Sequence, residues 1–592
     1  MSKSIIAGLT LAIMMLILIA CGGSNSTSPN DNPESFTVTT DGGTICNIDS
    51  TITLIIPANA VDADTTITLA IETSYPADPG YVSGTCYKFG PDGMIFNSPI
   101  TINIRYETGS IPTDVAEATL CLHKVVGNIW QPVTPCAVIE DSSFVTGQIY
   151  GFSSYGIVGY GGTIYDGNYD IGTVADIDSF AEYTGITGTL TIYSTASFTD
   201  LSGLDNLEWI GGDLIFANDP DRAILEFGDG LSALETISGT LYSNNGCMYS
   251  LDFPELKAVG GDLEFRGDSL RTLNFPELVS IGGTLDIQYT HVLTDLTGFD
   301  ALTSIGAIDI SSCSSLLSLE GLEDVHGILR SVRVAACLNL LTLEGLEGIT
   351  TVSGEVEINN NDALTSLLGL KVAQVGGIEF VNNDVLASIE ALILLSKIGD
   401  GGLLIQQSPS LTSLQGLNSL GQIEGPLSFN YVPQLTSLDG LAHITSCKSL
   451  FIEDCHSLVD ISALRDLYYI HETFKLYQDY ALTDIDSLYS LNYIGGSLWI
   501  QNNWNLENLN GLSNLQQIGA DRENAGLYLI GNIDLTDITG LYNLQTSRGT
   551  AYVVPGALQI SGNAMGNAEA WEFVDAIGGE SAVRDTIIIY GN

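Results

Sequence analysis

From about residue 186 to the C-terminus, apolar and polar positions repeat in one template. It is plainest in Tyr493–Leu515, YIGGSLWIQNNWNLENLNGLSNL, where Ile494, Leu498, Ile500, Leu506, Leu509, Leu512 and Leu515 are apolar and Gly495, Gly496 and Asn503 punctuate them. The first apolar residue of each "LxI" core falls at Leu190, Leu214, Leu241, Leu263, Leu285, Ile308, Val332, Val356, Ile378, Leu403, Leu427, Leu450, Phe474, Leu498, Leu527 and Leu558. The spacings are mostly 22–25 residues and lengthen to 31 between Leu527 and Leu558. Within each core the alternation has period 2, which predicts a short strand with one buried face. A fixed period of this size means a solenoid. One rung cannot bury its own leucines, whereas stacked rungs share a continuous core with parallel strands about 4.8 Å apart. Helical periodicity is weak inside the repeats, so strands and turns are expected.

Asn503 lies five residues after Leu498, and Asn361, Asn383, Asn532 and Asn563 hold the equivalent places; Cys313, Cys337 and Cys455 stand there in other rungs. An Asn or Cys just past a strand can bond backbone groups of its turn and of the neighbouring rung, as in the LxxLxLxxN/CxL pattern. In "LxSLxGL" a second inward leucine row follows, with Gly298, Gly321, Gly345, Gly369, Gly416, Gly440, Gly511 and Gly540 suited to a tight corner. The whole phrase, IGGxLxIxxNxxLxSLxGLxxL, resembles the receptor L-domain repeat of insulin- and EGF-receptor ectodomains across about residues 176–565. The resemblance implies a right-handed parallel β-helix, a leucine-rich-repeat-like solenoid of about 16 rungs, here spanning 186–566. Its open ends need covers. Residues 161–185 serve as connector and N-terminal cap, with a short helix expected over 177–183. At the other end, 567–592, Asn567 is expected to cap a helix over 568–577 that stops at Gly578-Gly579, with a last strand over 586–590.

Residues 36–160 have another texture. Short β-rich runs (52–56, 66–71, 100–106, 119–125) are separated by Gly, Pro and Asp turns, the pattern of a β-sandwich. The fold class is therefore all-β, a β-sandwich followed by a parallel β-helix. The phrases GGTICNIDSTITLIIPANAV, YKFGPDGMIFNSPITINIRY and GQIYGFSSYGIV resemble the β-sandwich domain shared by ankyrins, netrin receptors and zonula occludens proteins. Some members cleave themselves at His-Phe-Ser. Here Gly151, Phe152 and Ser153 match, and without the His to activate the hydroxyl an intact chain is expected. Cys46, Cys86, Cys121 and Cys136 are an even number in an exported protein, so either disulfides or four buried thiols fit. Of the three connectivities, Cys121–Cys136 with Cys46–Cys86 is the expected one. Cys313 and Cys337, on neighbouring rungs, are expected to be ladder thiols rather than a disulfide.

At the N-terminus, residues 1–21 carry Lys3, then an apolar run ending Leu18-Ile19-Ala20-Cys21, too short for a stable span and suited to a secretory signal. Leu-Ile-Ala-Cys matches the lipobox of bacterial lipoproteins. That resemblance implies cleavage before Cys21, lipid on its thiol and new amino terminus, and membrane anchorage through this residue. Gly22 at the next position fits outer-membrane sorting. Residues 22–35, GGSNSTSPNDNPES, form a flexible tether.

Composition narrows the partners. Eighteen Lys plus Arg against 70 Asp plus Glu give a formal charge of −52, which repels nucleic acid and anionic lipid surfaces. Six scattered histidines share no motif, and HExxH, paired CxxC, GxSxG and phosphate-binding glycine loops are missing from the sequence, so no cofactor, metal or catalytic residue is expected. The outward residue between the two apolar strand positions aligns from rung to rung. In the middle rungs this column reads Glu264, Asp286, Asp309, Arg333, Glu357 and Glu379, a series of carboxylates interrupted by one Arg. Such a column stays hydrated or binds cations; its oxygens suit calcium, though no DxDxDG loop supports a dedicated site. Later rungs read Phe451, Lys475, Trp499 and Tyr528, with Tyr477 and Trp504 near them. Outward aromatics on a strand face are usual anchors for protein or carbohydrate ligands. The leading expectation is a non-enzymatic, lipid-anchored surface protein of recognition or adhesion. The alternatives are a polysaccharide-active β-helix lyase or hydrolase, with the acidic column and Arg333 as its site, and a purely structural envelope protein.

Overall fold

The structure, a computed structural model, describes residues 33–193, 201–217, 230–244, 249–267, 269–519, 524–546 and 551–592. Cys21, its lipobox and most of the tether lie outside the described residues. The chain falls into two compact units: the part up to Asp286 with Gly298–Ile305, and Ile287–Thr297 with Gly306–Asn592. Among the described residues no helix is long and apolar enough to cross a membrane.

The first unit begins with the β-sandwich. Six antiparallel strands (Glu34–Val38, Thr65–Ile71, Tyr87–Gly90, Ser154–Val158, Cys121–Val126 and Ile129–Pro132, in spatial order) face five (Gly43–Cys46, Ile52–Ile56, Ile95–Arg105, Phe144–Gly151 and Cys136–Ile139). Alternate residues such as Ile100, Ile102 and Ile104 are fully buried between the sheets, which is why these runs form strands. The Cys121–Cys136 disulfide joins the two sheets. Cys46 and Cys86 are not bridged, contrary to expectation. Cys46 lies 3.7 Å from the cross-strand Thr53 hydroxyl. Cys86 sits with Trp130 and Val158 in a small apolar cluster apart from the inter-sheet core, so its thiol does not point toward the other sheet.

Coils follow in the same unit from Ile164–Tyr165 onward, paired in parallel: Leu190↔Leu214↔Leu241↔Leu263 mark one inward row and Ile186↔Ile210↔Ile237↔Val259 another. The sandwich packs on them. Tyr160 stacks on Trp209, ring centroids 4.5 Å apart, and its hydroxyl meets Nε2 of the buried His123 at 3.0 Å. A Cβ at Gly260 would come within 2.9 Å of the Pro132 carbonyl, so glycine lets the sandwich edge approach the coil. The first helix runs Val174–Phe180, three residues earlier than expected, because Thr173 and Asp176 form a reciprocal capping box at its start.

The second unit continues the coil pattern. Its strand row runs from Ile308↔Val332↔Val356 to Leu527↔Leu558↔Ile587, and a second parallel sheet of two-residue strands stacks Cys447, Ile470, Ile494 and Ile518. All sixteen "LxI" positions read from the sequence are buried strand residues. After each strand the chain turns through a left-handed residue (Ser312, Ala336, Asn360, Asn382, Gln407, Tyr431, Asp454, Gln478, Asn502, then Gly531 and Gly562), with φ between 51° and 70°. The next residue forms an internal ladder. Asn503 Oδ1 accepts the N–H of Asp479, and Asn532 Oδ1 that of Asn503, both at 2.9 Å; Nδ2 of Asn503 donates to the Leu476 carbonyl at 3.2 Å. Cys313 and Cys337 are thiols in this ladder, each directing Sγ at two backbone carbonyls. The last helix, Asn567–Ala576, is capped by Gly566 rather than Asn567. Asn567 Oδ1 instead accepts the N–H of Asn592, tying down the chain end beyond the strand Ile587–Tyr590.

Candidate functional site

The outward column is built by register. In the second unit Asp309, Arg333, Glu357, Glu379, Leu404, Ser428, Phe451, Lys475, Trp499, Tyr528 and Gln559 are successive partners on adjacent strands. Alternation turns each away from the buried leucines, so Asp309, Arg333, Glu357, Glu379, Phe451, Lys475, Trp499 and Tyr528 share one strip, while Tyr477 stands at the fourth strand position beside it and Trp504 lies past the strand end.

The carboxylates are not simply bathed in water. Arg333 lies 3.2 Å from both Asp309 and Glu357, bridging the rungs on either side. In the first unit Arg266, one strand position beyond Phe265, lies 2.7 Å from Glu264 and 3.2 Å from Asp286. The middle strand position alone does not reveal Arg266, because the fourth position also points outward. Glu379 accepts from Asn359 Nδ2 at 2.5 Å, and neither it nor the exposed Glu355 has a cation partner among the described residues. Burial and then the charge of Glu379 hold Glu357 above its ordinary range, while Arg333 pulls the other way. Among the described residues no group of three His, Cys, Asp or Glu side chains could hold a metal ion, so the calcium option gains no site.

The aromatics form separate ladders rather than one platform. Trp499 and Tyr528 stack face to face, centroids 3.6 Å apart and planes 15° apart. Lys475 separates them from Phe451; it pairs with Glu453 at 2.8 Å and covers the Tyr477 ring from 4.9 Å. Trp504 lies beyond the strand, past the Asn ladder, and stacks on Tyr480 at 4.3 Å, which stacks on His456 at 4.7 Å. Tyr469 and Tyr493 stack at 4.1 Å on the second sheet. Tyr480, His456, Tyr469 and Tyr493 were not singled out in the sequence, although 456, 480 and 504 share the 24-residue spacing. A ring stacked on both neighbours has its faces covered, which leaves edges and ladder ends for a partner.

Between Glu379 and Phe451 the column drops to Leu404 and Ser428, and glycines 377 and 401 line the flank. The result is a notch of about 260 Å³ bounded by Glu355, Glu379, Pro426 and Phe451.

In the sandwich, Phe152 is buried and Ser153 Oγ meets the Val125 carbonyl at 3.4 Å. The Gly151 carbonyl accepts from the Tyr155 hydroxyl at 2.6 Å. This is turn chemistry with Gly151 at the place of the activating His.

Residues 34–114 match the family model of the ZU5 domain. No curated protein matches the chain. The chain thus has an N-terminal β domain similar to the ZU5 domain, followed by a β-solenoid of stacked coils, an architecture that fits a binding or structural role.

Proposed function

We propose that this is a non-enzymatic, lipid-anchored protein of the bacterial cell envelope, held to the outer membrane through Cys21, whose solenoid recognises or adheres to a partner. The observation that carries the reading is the outward strip of the second unit. It is fixed by backbone register on a rigid ladder, and its composition changes from carboxylate to apolar to aromatic along the stack. Template residues explain the fold; this strip is surplus to it. A polypeptide partner suits the strip, because Trp499 with Tyr528, and Trp504 with Tyr480, each cover one ring face and leave ring edges and ladder ends beside apolar and carboxylate positions. The engagement of Arg333 by two carboxylates favours a binding surface over a polysaccharide-active groove, which needs an acid and a base free to act on substrate. The N-terminal domain adds a second interaction surface, packed on the first coils.

The test uses the full-length lipidated chain in intact cells with a photo-reactive amino acid at position 428 or 559, both on the strip, and at 439, off it. Adducts from the strip positions, digestible by protease and absent from 439, are expected. Adducts equal at all three positions, or none at all, overturn the reading; adducts sensitive to glycosidase only make the partner a glycan.

A further inference from the structure

We infer that the notch over Leu404 and Ser428 is a seat for the cationic side chain of a lysine or arginine carried by a partner polypeptide. This deepens the recognition reading above and rests on it. Three observations converge.

The first is shape. Glu379 and Phe451 are three rungs apart, about 14 Å at the spacing of neighbouring strands, and only Leu404 and Ser428 lie between them. A cavity of about 260 Å³ is below the usual range for small-molecule pockets and fits a side chain entering from a flat surface.

The second is charge. The carboxylates elsewhere in the column share Arg333 or Arg266, whereas Glu355 and Glu379 at the notch have no cation partner among the described residues. Glu357 beside them already feels both as repulsion. A cation placed there relieves that repulsion, and a chain of formal charge −52 steers cations toward itself.

The third is chemistry of the lining. Leu404, Pro426 and Ile378 offer apolar contact, and Phe451 closes one end. Ser428 Oγ and the carboxylates of Glu355 and Glu379 are the polar side-chain groups that line it. A lysine or arginine satisfies such a site, with its stem on the apolar floor and its charged head at the carboxylates. A sugar ring, with several hydroxyls to satisfy, does not.

The test is fluorescence anisotropy of the full chain with a labelled peptide of four Lys alternating with Ser, at 150 mM NaCl. Its counterpart has norleucine in place of each Lys. Four proteins are compared: the wild type, Glu355→Gln with Glu379→Gln, Ser428→Trp, which fills the notch at an outward position, and Asp484→Asn with Asp486→Asn, which removes two exposed charges elsewhere. Expected are binding of the Lys peptide only, a loss of at least fivefold in the two notch variants, and less than twofold in the control. Equal losses in all variants, retained binding in the notch variants, or no binding to the wild type overturn the seat. So does a glucosamine pentamer that is blocked by Ser428→Trp when the Lys peptide is not. If the seat fails while position 559 still captures a polypeptide in cells, the recognition reading stands with its contact elsewhere on the strip. If nothing is captured, both fall.

Discussion

Asp479 Oδ1 accepts the backbone N–H of Cys455 at 2.9 Å, doing for the coil before it what Asn503 does for Asp479. The second oxygen differs. In Asn503 the second atom is an amide nitrogen that donates to the Leu476 carbonyl, while Asp479 Oδ2 is buried without a hydrogen-bond partner. Burial pushes the Asp479 carboxyl well above its ordinary range. A carboxyl raised in the folded state binds its proton more tightly there than in the unfolded chain. Its contribution is therefore best below the unfolded value of about 4 and declines as pH rises toward the folded value. Asp479→Asn restores the donor and is expected to stabilise the second unit by about 1–3 kcal/mol at pH 7. The gain should shrink as pH falls to 4. Thermal melts of both proteins from pH 4 to 8 decide the matter; a gap independent of pH would refute the account.

His123 gives the opposite sign in the first unit. Burial lowers it to about 4, opposed by its hydrogen bond to the Cys121 carbonyl. A histidine depressed in the folded state supports stability above the unfolded value of about 6.5 and withdraws it as pH falls toward the folded one. Between these limits about 3 kcal/mol is at stake. His123→Gln should therefore flatten the acid limb of the first unit's melting profile, so that the difference between wild type and variant narrows as pH falls from 6.5 to 4. Near-ultraviolet circular dichroism, sensitive to the Tyr160–Trp209 stack, is the measurement.

The strand row was legible because each "LxI" core repeats the same buried pair, and one ladder position was legible because Asn and Cys recur there. The capping box of Thr173 and Asp176 starts the first helix three residues before the apolar positions that predict it, because a cap acts through local hydrogen bonds and not through apolar periodicity. Arg266 is hidden because its partners lie two residues back along its own strand (Glu264) and in that same column one rung up (Asp286). Such a contact follows from two-dimensional register and not from a single column. The covering of the Trp499 face by Tyr528 follows from rotamers, to which a pattern of letters is blind.

One coil offers a paired test of backbone geometry. Ala336 is left-handed at φ 55°, where a side chain costs roughly 1–2 kcal/mol. Ala336→Gly should stabilise by about 0.5 kcal/mol after the added freedom of the unfolded chain is counted. Gly345, nine residues on, has φ 110°, and a Cβ there would stand 2.0 Å from the Leu319 carbonyl oxygen of the preceding coil. Gly345→Ala should cost about 3 kcal/mol or more. Urea titrations of the two variants should move the midpoint in opposite directions.

The two tryptophan ladders should differ in how they couple. Trp499 and Tyr528 are half-buried and stacked at 3.6 Å, whereas Trp504 is 45% exposed where it meets Tyr480. A double-mutant cycle to Ala at 499 and 528 should show a coupling of about 1 kcal/mol, the usual worth of a stacked pair beyond its area. The cycle at 480 and 504 should show less, because water replaces much of what is lost. Denaturation of the second unit reads both. If the expectation holds, a loss of partner capture in Trp504→Ala reports a lost contact directly. The same loss in Trp499→Ala has to be weighed against the stability that the stack supplied. Equal couplings in the two cycles would instead make both ladders parts of the scaffold.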